Sequence, residues 1–211
     1  MVAEINEMTR YTSDLTGKTI LSKRVMDVMN RVPRHEFVSA DMRAFAYQNH
    51  ALPLASNQTI SQPYIVALMT DLADVDEEDT VLEVGTGSGY QAAVLAELCR
   101  KVYSVEIIES LGEQASLILQ RLGYGNVSLR IGDGYHGWPE AAPFDAILVT
   151  AAPETVPEAL LEQLRSGGKL VIPLGQQGSI QTLRVFEKNE QGEIKKRDIL
   201  PVGFVPLTRE D

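Results

Sequence analysis

The sequence predicts an α/β fold: a mostly parallel central sheet with antiparallel end strands, helices on both faces and an N-terminal helical extension. Three observations carry this. From about residue 80, short apolar runs alternate with segments of helical period. The runs are rich in Val, Ile and Leu, as strands covered on both faces require. Near the C-terminal end, two extended runs flank Asn189-Glu190-Gln191-Gly192, a hairpin signal that ends the sheet with antiparallel pairing. Residues 1–76 then form a helical region and residues 77–211 the sheet-bearing domain, together one compact unit of 211 residues.

Taken in order, residues 1–19 are polar and are expected to form a loosely held arm. Leu21, Val25, Val28, Met29 and Val32 follow helical spacing, so a helix is expected over 20–32, stopped by Pro33. A second short helix is expected over 41–47. Residues 50–61 read as irregular, with Pro53 and the run Ser56-Asn57-Gln58-Thr59-Ile60-Ser61. Ser61 is expected to cap the next helix, because Pro63 suits a first helical turn. Ile65, Leu68, Met69 and Leu72 continue that helix. Strands are then expected over 80–84, 102–105, 127–131, 144–149 and 169–173. Helices fall between them over 90–98, 111–122 and 157–164. Gly123 ends the second of these, and Gly167-Gly168 reads as a turn. The hairpin strands are 181–187 and 194–200. There is no internal repeat and no low-complexity segment.

Composition narrows the function. Apolar residues make up 44% of the chain, the net charge is −10 and the isoelectric point is about 4.8. The densest basic run, Lys195-Lys196-Arg197, is followed at once by Asp198, so nucleic acid is disfavoured as a partner. Cys99 is the single cysteine, which excludes an internal disulfide and thiol-rich metal sites; no metal is expected. The first ten residues hold Glu4 and Glu7 and no apolar run, unlike a secretory signal. No stretch approaches the roughly 20 apolar residues that span a bilayer. A soluble, cytoplasmic protein is expected, with no membrane partner.

The densest signal is Val81-Leu82-Glu83-Val84-Gly85-Thr86-Gly87-Ser88-Gly89-Tyr90. A buried strand ends in an acid and breaks into glycines at alternate positions. One reading is a structural strand-to-helix turn. A dinucleotide site needs G-x-G-x-x-G, and here the third glycine comes one position too early. A phosphate loop needs a Gly-Lys-Ser/Thr that is missing. Acid-x-Gly-x-Gly-x-Gly after a strand resembles the signature of the Rossmann-like class I S-adenosylmethionine-dependent methyltransferases. A bare turn lets the methionine part of such a ligand lie against the backbone, and Glu83 can face its cationic end directly or through water. The strand ending at Glu106 offers a carboxylate that can accept both ribose hydroxyls. Gly132-Asp133-Gly134 ends a third strand; in that class an acid there sits by the adenine. Each acid alone also reads as a turn residue or a solvated charge; together they describe how an open parallel sheet holds a nucleoside.

Acceptor class is narrowed by absence and by resemblance. The strand over 144–149 runs into Thr150-Ala151-Ala152-Pro153, unlike the motif of amino-methylating nucleic-acid enzymes, and no Pro-Cys nucleophile is present. Gln58-Thr59-Ile60-Ser61-Gln62-Pro63-Tyr64 and Arg31-Val32-Pro33-Arg34-His35-Glu36-Phe37-Val38 resemble elements of the protein-L-isoaspartate (D-aspartate) O-methyltransferases. So do Gly132-Asp133-Gly134, Pro143-Phe144-Asp145-Ala146-Ile147, Gly167-Gly168 and Phe204-Val205-Pro206-Leu207, from about residue 20 to 208. The resemblance implies methyl esterification of the α-carboxylate of isoaspartyl residues in damaged proteins, and of D-aspartyl residues, as a step of repair through a succinimide. It implies S-adenosyl-L-methionine as cofactor and S-adenosyl-L-homocysteine as product. Ser61 becomes the catalytic residue, in an acceptor-site loop. Cofactor contacts fall to Gln58, Thr59, Ile60, Glu83, Gly85, Thr86, Gly87, Ser88, Gly89, Glu106, Asp133, Gly134 and Thr208, and the run 205–208 helps close the pocket. The chain departs from the family at Asn57, where Gly is usual, although Asn tolerates a left-handed backbone.

Such a reaction needs no general base, because a carboxylate with a reference pKa of about 4 is already ionised at neutral pH. That accounts for the lack of a His–Asp or Cys–His pair. Ser61 is a donor to the acceptor carboxylate, a helix cap, or both. His35 and His50 read as surface or structural groups. His136, with Tyr135 and Trp138, either borders the adenine or packs a loop. A methyltransferase of the same fold acting on a small molecule and a non-catalytic cofactor-binding adaptor remain the rivals. The sequence sets no oligomeric state; a monomer is the expectation.

Overall fold

A computed structural model describes residues 1–176 and 178–209. The chain begins in helix, not in a loose arm: α1 (Val2–Tyr11) is followed by the short α2 (Ser13–Thr16) and α3 (Lys23–Arg31). The polar composition of the first turns conceals a narrow buried stripe, Ile5 and Thr9 on one face. The Thr9 hydroxyl returns a hydrogen bond to the Ile5 carbonyl (2.8 Å), which lets a polar residue sit inside. Ser22 caps α3 by accepting from the Val25 N–H, so that helix starts later than its apolar pattern. Two 3₁₀ turns follow, Arg34–Phe37 and Ala40–Phe45, the second in place of the expected α-helix. The stretch read as irregular contains a minimal hairpin, with β1 (Leu52–Pro53) antiparallel to β2 (Thr59–Ile60). Ser56 and Asn57 at its tip both take φ +56°, a conformation that suits Asn better than most residues.

Helix α4 (Pro63–Ala73) has Pro63 in its first turn, as expected, but its N-cap is Gln62, with no side-chain cap bond. The Ser61 hydroxyl is therefore not used as the cap, which corrects that reading. The sheet domain runs β3 (Thr80–Val84), α5 (Tyr90–Ala96), β4 (Lys101–Glu106), α6 (Glu109–Arg121), β5 (Val127–Ile131), β6 (Phe144–Val149), α7 (Glu158–Gln163), β7 (Leu164–Leu174), β8 (Gln181–Lys188) and β9 (Ile194–Val202). Strand order is β5-β4-β3-β6-β7-β8-β9, parallel as far as β7 and antiparallel from there. Gly167 and Gly168 lie inside β7 at a register irregularity against β6, not in a separate turn.

Period-two alternation sorts the strand residues between two apolar layers. Val81, Val102, Ala146, Leu148 and Val171 join the layer under α3, α4 and α5. Leu82, Val84, Val105, Ile147 and Val149 join the opposite layer, closed by Leu160 of α7. Strand β3 is followed in sequence by β4 on one side and flanked by β6 on the other. The crevice that this reversal opens lies at the carboxyl ends of the strands, where open α/β sheets bind ligands. Among the described residues no helix is long and apolar enough to cross a membrane.

Because Ile5 is fully buried, Ile5→Ala is expected to cost about 2–5 kcal/mol in urea-induced unfolding. A loss below roughly 0.5 kcal/mol, the size of an ordinary surface change, would show α1 to be only loosely attached.

Candidate active site

The glycine turn is strapped to β4. The Gly85 and Thr86 N–H groups donate to the Val105 carbonyl (2.8 and 3.3 Å), and the Gly87 N–H donates to Glu106 Oε2 (2.7 Å). Gly85 has φ +95°, and a Cβ there would stand 2.6 Å from Thr150 Oγ1, so a side chain is excluded on two counts. That threonine hydroxyl donates to the Gly85 carbonyl and anchors the turn to the end of β6. Gly89, at φ +86°, begins α5; a Cβ there would crowd Ala115 and Leu119 of α6. The third glycine therefore serves helix packing behind the cleft, whereas Gly85, Thr86, Gly87 and Ser88 line it.

The three acids stand in different surroundings. Glu106 is 5% exposed, and its carboxylate accepts from Gly87 (Oε2) and Ile108 (Oε1, 2.9 Å). Each oxygen keeps a second lone pair toward the cleft. Asp133 accepts from the Tyr135 N–H (2.8 Å) and caps the 3₁₀ turn Gly134–His136; Gly134 lines the cleft and Asp133 stands just behind it. Glu83 is completely buried. Its Oε2 accepts from the Ser104 hydroxyl (2.5 Å), which also pairs with Thr86 Oγ1 (2.6 Å). Glu83 Oε1 has no hydrogen-bond partner among the described residues. Burial pushes the Glu83 carboxyl up to about 8, the neighbouring Glu106 adds to the rise, and Ser104 opposes it.

The rest of the lining comes from two segments far apart in the sequence. Gln58, Thr59, Ile60 and Ser61 follow the hairpin tip into the cleft. Opposite them, Val205, Pro206, Leu207 and Thr208 return from the end of the sheet. The Ala152 N–H donates to the Val205 carbonyl (2.8 Å) and the Leu207 N–H donates to the Ala152 carbonyl (3.0 Å). Buried Gln181 holds Phe204 through both its backbone groups. The cleft so framed encloses about 760 Å³ of non-protein space, counted out to its open mouth. Half-buried Ser61 also borders a second, more apolar hollow lined by Met8, Thr12, Ile65, Ile180 and Phe204. No partner is found for its hydroxyl among the described residues.

Several contributors were not singled out from sequence. Val66, Tyr90, Gln91, Ile107, Ile108, Thr150 and Ala151 line the cleft, and Ser104 supports it from beneath. Ser104 had a signal, a lone hydroxyl in an apolar strand, but only the register Glu83 opposite Ser104 reveals its partner. The Arg34 side chain is fully buried: Nε donates to the Ala46 carbonyl (2.8 Å), and the guanidinium sits 4.9 Å from the Tyr90 ring. Burial brings it down to about 10. Phe37 meets the same ring edge-on at 5.6 Å, so this motif steadies the start of α5. His35 bonds Tyr47 (2.6 Å) and His50 bonds Gln48 (2.7 Å). Exposed His136 lies outside the cleft lining, and Trp138 packs on Tyr103.

The residues present fit an adenosyl sulfonium. A bare turn, a carboxylate able to take two hydroxyls and a buried acid with a partnerless oxygen face one hollow, and no basic side chain lines it. The Glu83 carboxyl has a folded pKa above its ordinary value of 4.5, so the folded chain keeps a proton that the unfolded chain has lost. Stability of the ligand-free protein therefore declines between about pH 4.5 and about pH 8 from this group, and Glu83→Gln removes that decline. The melting-temperature advantage of Glu83→Gln over the parent is expected to widen between about pH 5 and about pH 8 and to stay constant above. Parallel melting curves in scanning calorimetry would mean that Glu83 is ionised throughout.

A family model described as protein-L-isoaspartate(D-aspartate) O-methyltransferase matches residues 8–211. Protein-L-isoaspartate O-methyltransferase 2 of Syntrophobacter fumaroxidans is 62% identical over 208 residues, covering 99% of this chain and 84% of the relative. The protein of the same name from a Polaromonas species is 60% identical, over 99% of both chains. Among solved structures, a protein-L-isoaspartate O-methyltransferase aligns with a TM-score of 0.83 and 28% identity, over 98% of this chain and 65% of that longer one. A beta-aspartate methyltransferase from Plasmodium falciparum, in complex with S-adenosyl-L-homocysteine, shares the fold at a TM-score of 0.80 and 24% identity, over 98% of both chains. Identity above one half over nearly the whole sequence, joined to a glycine turn held between two acids, decides the assignment: the chain belongs to the protein-L-isoaspartate(D-aspartate) O-methyltransferase family.

Proposed function

We infer that Ser61 presents the acceptor carboxylate to the methyl donor in this S-adenosylmethionine-dependent protein-L-isoaspartate O-methyltransferase. The enzyme esterifies the α-carboxylate of L-isoaspartyl residues in damaged proteins, and closure of the ester to a succinimide begins their return to aspartate. D-Aspartyl residues, named in the family description, are a second substrate in this reading. The methyl comes from the sulfonium of S-adenosyl-L-methionine, leaving S-adenosyl-L-homocysteine.

The chain has three tasks: to hold both reactants in line, to keep water out and to leave the nucleophile its charge. Orientation alone can lower such a barrier by roughly 7–11 kcal/mol. Glu106 takes the ribose hydroxyls on the lone pairs that Gly87 and Ile108 leave open. Glu83 faces the cationic end, the backbone of Gly85, Thr86, Gly87 and Ser88 lies along the methionine part, and Asp133 with Gly134 and the Gly89 helix start frame the adenosyl side. Gln58, Thr59, Ile60 and Thr208 cover the bound pair, with Ile60, Val66, Val205 and Leu207 excluding water. The Ser61 hydroxyl donates to the acceptor carboxylate. A neutral donor fixes the oxygen without quenching it, as an ammonium group would.

One observation carries the role of Ser61: its hydroxyl is not engaged in capping α4, and it stands where the cofactor cleft meets the second hollow. An extended, damaged segment entering through that hollow brings its carboxylate to Ser61 from the side opposite the glycine turn. We also assign a monomer and a cytoplasmic location. A single, buried Cys99, its thiol pushed up to about 12 by burial, is in keeping with a reducing compartment.

Ser61→Ala is expected to lower kcat/KM on an isoaspartyl peptide by about 10- to 100-fold, the loss of one hydrogen bond to a charged group of about 1.5–3 kcal/mol. Cofactor affinity by calorimetry should stay within about twofold; unchanged turnover would remove Ser61 from the reaction. Glu106→Ala should instead weaken cofactor binding by at least about tenfold, because it releases the glycine turn as well as the ribose. Paired isoaspartyl and normal aspartyl peptides with labelled S-adenosylmethionine test the substrate: base-labile ester must form on the first alone.

A further inference from the structure

We propose that Glu83 holds a proton in the ligand-free cleft and releases it to solvent when the cationic cofactor enters, with Ser104 positioning the carboxyl for that exchange. The proposal rests on S-adenosylmethionine occupying this cleft and is independent of the role given to Ser61.

The cleft offers Glu83 no counter-charge. Glu83 is fully buried, lines the cleft and lies beside a second acid, Glu106. None of the residues lining the cleft is Lys, Arg or His. The groups facing Glu83 come from β4, β6 and α5. On β4 they are Ser104, its register partner, and Glu106. On β6 its register partner is Leu148, and the nearby Thr150 hydroxyl is spent on the Val84 and Gly85 carbonyls. On α5 the Ala92 backbone N–H favours the charged form, and the Gln91 amide is committed to Thr70 of α4 (2.9 Å). Among the described residues the only charged neighbour is thus another carboxylate. A buried carboxyl with no cation beside it is held neutral, and its carboxyl is pushed up to about 8 here.

Ser104 ties that carboxyl to the turn: its hydroxyl stands 2.5 Å from Glu83 Oε2 and 2.6 Å from Thr86 Oγ1. In the neutral state the proton lies on Oε2, where Ser104 accepts it and passes its own hydrogen to Thr86; in the ionised state Ser104 donates to Oε2 and Thr86 donates to Ser104. When a ligand bearing ammonium and sulfonium charges enters, the O–H bond of the carboxyl breaks. The electron pair stays on the carboxylate and the proton passes to bulk buffer. No oxidant or further reactant is needed. The cofactor dissociation constant should tighten by up to about tenfold per pH unit below the point at which Glu83 ionises in the ligand-free protein.

The experiment is titration calorimetry of S-adenosylmethionine into the whole chain at about pH 7, in buffers of low and high ionisation heat. About one proton released per cofactor is expected from the parent and nearly none from Glu83→Gln. Heat that does not depend on the buffer, or equal release from Glu83→Gln, would overturn the proposal. Release that persists in that variant would place the proton elsewhere and likewise overturn it. Should Glu83→Gln fail to fold, the infrared difference spectrum of the parent decides: the carbonyl band of a protonated carboxyl must vanish on cofactor addition, and its persistence overturns the idea. Ser104→Ala is expected to weaken binding and to move the pH at which affinity levels off upward, with Ser104→Thr restoring both. An unchanged affinity–pH profile in Ser104→Ala would remove Ser104 from the exchange.

Discussion

Parallel pairing of β3 on β4, with Thr80 opposite Lys101 and Val84 opposite Val105, sets where every group at the cleft stands. Both strands are covered on both faces, so a slip of one residue would exchange their two sets of side chains between layers. In the observed register Glu83 and Ser104 share the helix-covered face. The strands also end level with each other. Two N–H groups of the glycine turn therefore meet one carbonyl, Val105, and Glu106 curls round to hold Gly87. The turn has little structure of its own to offer. Its shape is borrowed from the sheet beneath it and from the Thr150 hydroxyl at the end of β6.

Much of this was legible because the central strands are long, apolar and interrupted by glycine. β3 and β6 were read with their ends in place, and the turn with its two acids was found from spacing alone. What stayed hidden was short, local or set by distant partners. The first helix was missed because Ile5 and Thr9 make too thin a stripe, and a buried threonine does not register as core. The β1–β2 hairpin has two residues per strand, too few to alternate. Ser61 reads as a cap because a serine ahead of a proline usually is one, whereas here Gln62 takes the cap position and the helix starts at Pro63. The importance of Ser104 depends on strand register, which no local pattern reveals. Gly89 and Asp133 also have structural tasks that spacing does not show, one letting two helices approach and the other capping a turn.

The electrostatics of the cleft are built by omission. It has acids, hydroxyls and backbone amides, and no basic side chain lines it. For a ligand that brings its own positive charge this is complementary, while an acceptor carboxylate finds neutral donors there and no cation of the protein's own. The net charge of −10 over the whole chain points the same way and gives no general pull on acidic protein segments.

The roof of the cleft is laid by residues 205–207, bonded to Ala152 just beyond the end of β6. Synthesis on the ribosome therefore produces the floor, the walls and the acceptor hairpin well before the cover. A nascent chain halted in β9 owns every acid discussed above yet lacks the strip that shuts the ligand in. The pocket is thus finished only by residues that follow the whole sheet in sequence.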